Sequence, residues 1–260
     1  MAAQRTTHRH GLEVSFGTVK QYTFLAASPR YSWTEVTVVD ESTPSVTLDG
    51  VPLVSNYEGA HCIYRGYMEQ FECKDGKRLV ALREVALKWV VGAERVAGAK
   101  REAGLYDKEL RPLQGSVVPR FYGCFTSIIG DVEVACIVLE WCAGSPIKDT
   151  FELNRQRMIA GLALHKEGVM HNKVLDPMHY IAVNDGTLRM VGFSSAKTHQ
   201  CAGTTILSRD VNGDQKPSKG CSELAALESR FGVDSDQLGT EVRLANKIFP
   251  AFDAGFFYRY

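Results

Sequence analysis

The chain has 260 residues, 45% hydrophobic and 23% charged, with 30 basic side chains matched by 30 acidic ones. Those proportions exclude collagen-like, disordered and small disulfide-scaffold proteins, and the length suits one domain, or one of two lobes, with a sizeable core. Zero net charge removes the electrostatic reason to expect nucleic acid or an anionic membrane as partner.

The start, Met1 to Glu13, is polar and lacks the apolar run of a signal peptide. No stretch approaches the ~20 apolar residues of a membrane span, so an intracellular protein of cytoplasm or nucleus is expected. Residues 12 to 54 read as strands: Ser32 to Val39 is β-branched and aromatic, and Asp49-Gly50 marks a turn. Cys62 to Cys73 and Leu79 to Val91 follow, joined through Lys74-Asp75-Gly76, a hairpin signal. After Gly92, Val96, Ala99, Ala103, Tyr106, Leu110 and Leu113 recur at helical spacing and predict one apolar stripe that Pro112 should end. Val117 to Phe125 and Val132 to Trp141 predict two more strands.

The second half changes character. Ser145-Pro146 predicts a helix start, with Met158, Leu162 and His165 on one face. Met170 to Phe193 reads as a compact β-rich stretch, with a hairpin turn at Asn184-Asp185-Gly186. Residues 198 to 220 read as a polar loop, followed by short helices at about 221–231 and 235–248. Seven cysteines (Cys62, Cys73, Cys124, Cys136, Cys142, Cys201 and Cys221) contain no C-x-x-C pair, and several sit in apolar runs. Buried thiols in a reducing compartment are expected, and no metal site, because no Cys or His group shows ligand spacing.

The order of motifs is similar to that of the protein kinases. Val85-Ala86-Leu87-Lys88 resembles their strand lysine, and Glu102 on the next helix the glutamate that pairs with it, with Glu109 the alternative. Ile137 to Cys142 (IVLEWC) resembles the hinge. By that likeness Leu139 is the gatekeeper, and the backbones of Glu140 and Cys142 face an adenine. Leu164 to His171 (LHKEGVMH) and Leu188 to Ala196 (LRMVGFSSA) resemble the strands and turns around the catalytic loop and the D-F-G motif. The stretch from His171 through Cys201, with Pro177, His179, His199 and Cys201, also resembles a fungal group of kinase-like proteins with degenerate catalytic motifs.

The resemblance implies a two-lobed α+β protein-kinase-like fold. It would comprise a β-rich extension (1–55), a β-rich N-lobe with one helix and the hinge (56–142), and a mainly helical, shortened C-lobe (143–260). It implies a nucleotide pocket formed by Gly59, Ile63, Lys88, Glu102, Leu139, Glu140 and Cys142.

The departures fall on the chemistry. Lys173 occupies the position of the base Asp, two residues after His171, and Gly192 that of the metal-binding Asp before Phe193. The phosphate-loop glycine positions fall on Asn56, Glu58 and His61, with Gly59 nearby. Asp176 is the candidate substitute carboxylate. Only 66 residues follow Ser194, with no A-P-E motif, and the last twelve hold six aromatics. The expectation is a catalytically impaired pseudokinase that binds ATP without metal, or an unidentified protein partner. The alternative is an atypical ATP-dependent kinase with displaced catalytic residues.

Overall fold

The structure is a computed structural model that describes residues 10–16, 20–31, 34–38, 46–48, 51–53, 61–74, 77–201 and 221–232. Contacts divide the chain into two units, Met1–Ala143 and Gly144–Tyr260.

The first unit is built on strands β1 (Gly11–Phe16), β2 (Lys20–Ala26), β3 (Thr34–Val38), β4 (Val46–Leu48), β5 (Val51–Leu53), β6 (His61–Lys74) and β7 (Lys77–Val91). Helix α1 (Ala93–Asp107) and strands β8 (Phe121–Ile129) and β9 (Val132–Glu140) follow. Seven of these strands close into a barrel in the order β1-β2-β8-β9-β7-β6-β3. Closure depends on β1. It pairs antiparallel with β2 and parallel with β3, while β2 reaches β8 through Leu25↔Thr126 and Ala26↔Phe125. Beyond Glu69 and Val85 the β6–β7 hairpin pairs with itself, outside the registers with β3 and β9.

Alternation along the strands fills the interior. Leu12, Val14 and Phe16 on β1, Val36 and Val38 on β3, and Tyr64 and Met68 on β6 are buried in turn. Trp89 sits among Phe16, Tyr22, Phe24 and Tyr64, all edge-on at centroid distances of 5.0–6.4 Å. Each such pair contributes about 0.5–1.5 kcal/mol beyond the area it buries.

On β7 and β9 the alternation stops. Leu87 to Val90 and Val134 to Leu139 are buried on both faces, because α1 covers the outer one. Val96, Ala99, Ala103 and Tyr106 form the buried stripe of α1, and the Tyr31 hydroxyl donates to Asp107 at its end. The helix stops at Asp107, ahead of Pro112. Leu110 N–H bonds back to Leu105 O at 2.9 Å, and Leu113 falls in a separate 3-10 turn, Arg111–Leu113.

The second unit holds α2 (Thr150–Lys166), β10 (Val169–Met170), β11 (Tyr180–Ala182), β12 (Leu188–Met190), β13 (Lys197–Thr198) and α3 (Ser222–Phe231). The start of α2 is set by Asp149, not Ser145-Pro146: its carboxylate accepts from Phe151 and Glu152 N–H. α2 packs on α3 at Gly161, where an added Cβ would lie 2.3 Å from Leu227 Cδ1. Leu224, Leu227 and Phe231 are buried, as their spacing predicts. The hairpin β11–β12 turns at Asp185-Gly186, where the Asp185 carboxylate accepts from Thr187 N–H at 2.9 Å.

The expected two-lobed protein-kinase-like α+β fold is overturned by this architecture. Among the described residues sheet is the main regular structure, with one closed seven-stranded barrel and three short α-helices. Strand content was readable, but closure was not. Closure comes from long-range pairings of β1 with β3 and β2 with β8, and neither leaves a mark on a strand's own residues. The predicted turns at Asp49-Gly50 and Asp75-Gly76, Gly59, the helix at 235–248 and the aromatic tail lie outside the described residues.

Candidate functional site

Strand β7 pairs with β6 and β9 so that Ile63↔Lys88 and Lys88↔Ile137 are neighbours, and Ala86 faces Leu139. With a side-chain period of two, Ile63, Lys88 and Leu139 share the outer wall of the barrel, while Leu87 and Trp89 point inward. α1 lies over that wall and brings Glu102 down onto Lys88. The ammonium is 2.6 Å from the Glu102 carboxylate, and the residues are 5% and 1% exposed. Glu102, not Glu109, is therefore the partner.

The other expected pocket residues are placed unevenly. Ile63 is half exposed, and Leu139 and Cys142 are buried. The Glu140 N–H donates to Arg120 O at 2.8 Å, and its carboxylate accepts from Arg120 N–H at 3.0 Å. The Cys142 thiol leans on Glu140 O at 3.7 Å. The Glu140 backbone donor is thus engaged within the first unit.

In the second unit the loop after β10 is organised by Glu223, on the first turn of α3. Its carboxylate accepts from His171 N–H at 2.9 Å, Asn172 N–H at 2.5 Å and His165 Nε2–H at 2.7 Å. Burial pushes Glu223 up, but the His165 bond and the two backbone N–H groups outweigh it, and its pKa lies below the ordinary value. Asn172 takes the left-handed conformation, with φ 66°, and its amide donates to Ser195 O at 2.7 Å.

His171 is fully buried, 4.8 Å from Phe193 ring to ring. Its Nε2 and the Nδ1 of His179 both donate to Val191 O, at 3.1 and 2.9 Å. Lys173 is exposed and lines an open groove with Leu175, Asp176, Ser222 and Ala226. Asp176 caps the turn Pro177–His179, accepting from Met178 N–H at 2.9 Å.

Gly192 has φ 81°, and a Cβ there would meet His179 Nδ1 at 2.5 Å. Conformation and space both disfavour a side chain at that position. The residues at 173 and 192 therefore do not fit a Mg²⁺ site, which requires oxygen ligands.

Sequence reasoning missed a convergence in the same unit. One ligand-type atom each from His165, His199, Cys201 and Cys221 lies within 4.8 Å of all the others. Only His199-x-Cys201 are near neighbours in sequence, so the spacing rule that excluded a metal site had nothing to detect.

Among the described residues, no helix is long and apolar enough to cross a membrane. Comparison with known proteins finds no matching family model and no matching curated protein.

Proposed function

We propose that this chain is a nucleotide-binding module, one that holds the phosphates of a nucleotide at Lys88 and does not transfer them. The observation that carries the reading is the buried Lys88–Glu102 pair. A buried ion pair is weak support for stability, because desolvating both charges offsets most of their attraction. Apolar side chains would hold α1 on the barrel at least as well. A lysine kept there, with three donors of which one goes to Glu102, suits capture of phosphate oxygens.

Transfer is a separate matter. A positioned base is worth ~10²–10⁴ in rate, and the position that the sequence resemblance assigns to the base carries an ammonium, Lys173. The position that the resemblance assigns to the metal ligand carries Gly192, where φ 81° and the neighbouring His179 ring both strain any added side chain. Asp176, the substitute considered, has an oxygen committed to its turn. These features support binding over the atypical-kinase alternative.

The test is phosphate transfer from radiolabelled ATP beside thermal shift with ATP, each with and without Mg²⁺. The proposal expects a shift that needs no Mg²⁺, is lost in Lys88→Met, and comes with no label transfer. Label transfer abolished in Lys88→Met would establish the kinase instead. No shift at millimolar ATP would leave a protein-interaction module.

A further inference from the structure

We infer that His165, His199, Cys201 and Cys221 form a structural zinc site, independent of any nucleotide at Lys88. Three elements deliver the ligands. His165 is in the last turn of α2, His199 and Cys201 follow β13, and Cys221 is the N-cap residue of α3. Gly168, with φ 75°, turns the chain out of α2, and its carbonyl accepts the His199 N–H at 2.8 Å. That bond seats His199 beside His165, their ring centroids 5.3 Å apart.

The geometry around His165 is that of a ligand. Its Nε2 lies 2.7 Å from Glu223, and a carboxylate only accepts, so Nε2 carries a proton and Nδ1 of the neutral ring presents a lone pair. Metal-bound histidines commonly donate their other N–H to a carboxylate in this way, which fixes tautomer and ring orientation.

The Nδ1 lone pair faces Cys221 Sγ at 3.5 Å. A tetrahedral zinc with ordinary bond lengths would hold N and S about 3.6 Å apart. A second observation points the same way: His199 Nε2 is buried and has no hydrogen-bond partner. Orphaned buried nitrogens are rare in native proteins and call for an explanation such as an ion.

Two thiolates and two neutral imidazoles match zinc in softness and number, and the two negative charges cancel the ion's charge. Binding would displace the protons of Cys201 and Cys221, releasing two per zinc, with no change of oxidation state. Four protein ligands leave no open position, so the role is structural. The ion would join the end of α2 to the start of α3 and so fix Glu223, which holds the His171–Asn172 loop.

The test uses the full chain, purified under reducing conditions. Metal analysis should find one zinc per chain. Replacement by Co²⁺ should give the intense visible absorption of tetrahedral thiolate–imidazole cobalt at one equivalent, and lose it in Cys201→Ser/Cys221→Ser. Because that variant can fail to fold, alkylation of the wild-type chain is mapped with and without zinc. Zinc should protect Cys201 and Cys221 selectively. Absence of cobalt absorption at equimolar metal, or alkylation of these two cysteines unaffected by zinc, would overturn the site and leave a thiol–imidazole hydrogen bond in its place.

Discussion

Replacing Lys88 by methionine removes one charge of a pair whose side chains are only 6% and 1% exposed. Glu102 would then lose the ammonium that lies 2.6 Å from its carboxylate. Breaking a buried pair from one side costs about 3–5 kcal/mol, because the remaining buried charge loses its counter-charge. Replacing both, as Lys88→Met/Glu102→Leu, removes the desolvation problem, and such swaps are neutral or stabilising by about 1–4 kcal/mol. The double variant should therefore be more stable than either single one by at least about 3 kcal/mol.

Urea unfolding followed by tryptophan fluorescence, with Trp89 inside the same barrel, measures this as a change in midpoint at constant slope. A cost below about 1 kcal/mol for Lys88→Met would mean a solvated pair. A double variant as unstable as the single ones would show that side-chain shape, not charge, explains the loss. Recovery of stability without recovery of ATP binding would separate the pair's functional role from its structural one.

Three further outcomes are expected. Gly192→Asp should destabilise by about 1–3 kcal/mol or more and give no phosphate transfer, and adding His179→Gly should recover part of the loss by emptying the space the new side chain enters. Glu223→Ala should cost about 3–5 kcal/mol in denaturant unfolding, since it orphans two backbone N–H groups and the His165 N–H together. Burial pushes the Cys124 thiol up to about 12 and Cys136 well above its ordinary value, so alkylation of the folded chain near pH 8 should leave both unmodified by peptide mapping.

Local elements were legible where one residue pattern decides them. The stripe from Val96 to Tyr106 gave α1, the run from Cys62 to Cys73 gave β6, and Asp185-Gly186 gave its hairpin. The Lys88–Glu102 meeting came from motif order, and register with helix placement accounts for it physically. What stayed hidden depends on distant residues. β1 with β3 and β2 with β8 close the barrel, and no local pattern encodes either pairing. Asp149 outranked Ser145 as a cap because its carboxylate reaches two N–H groups, which only geometry reveals. The His165–Cys221 contact spans 56 residues, so a spacing rule for metal ligands passes over it.

The most direct test of the central claim is calorimetric titration of ATP into the full chain in EDTA, beside Lys88→Met/Glu102→Leu as the folded control. The account predicts saturable, metal-independent binding to the wild-type chain, lost in the double variant. By linkage, ATP at 100 times its Kd should add about 2.7 kcal/mol of stability to the wild-type chain alone. No heat of binding at millimolar ATP, or equal binding by both proteins, would contradict it.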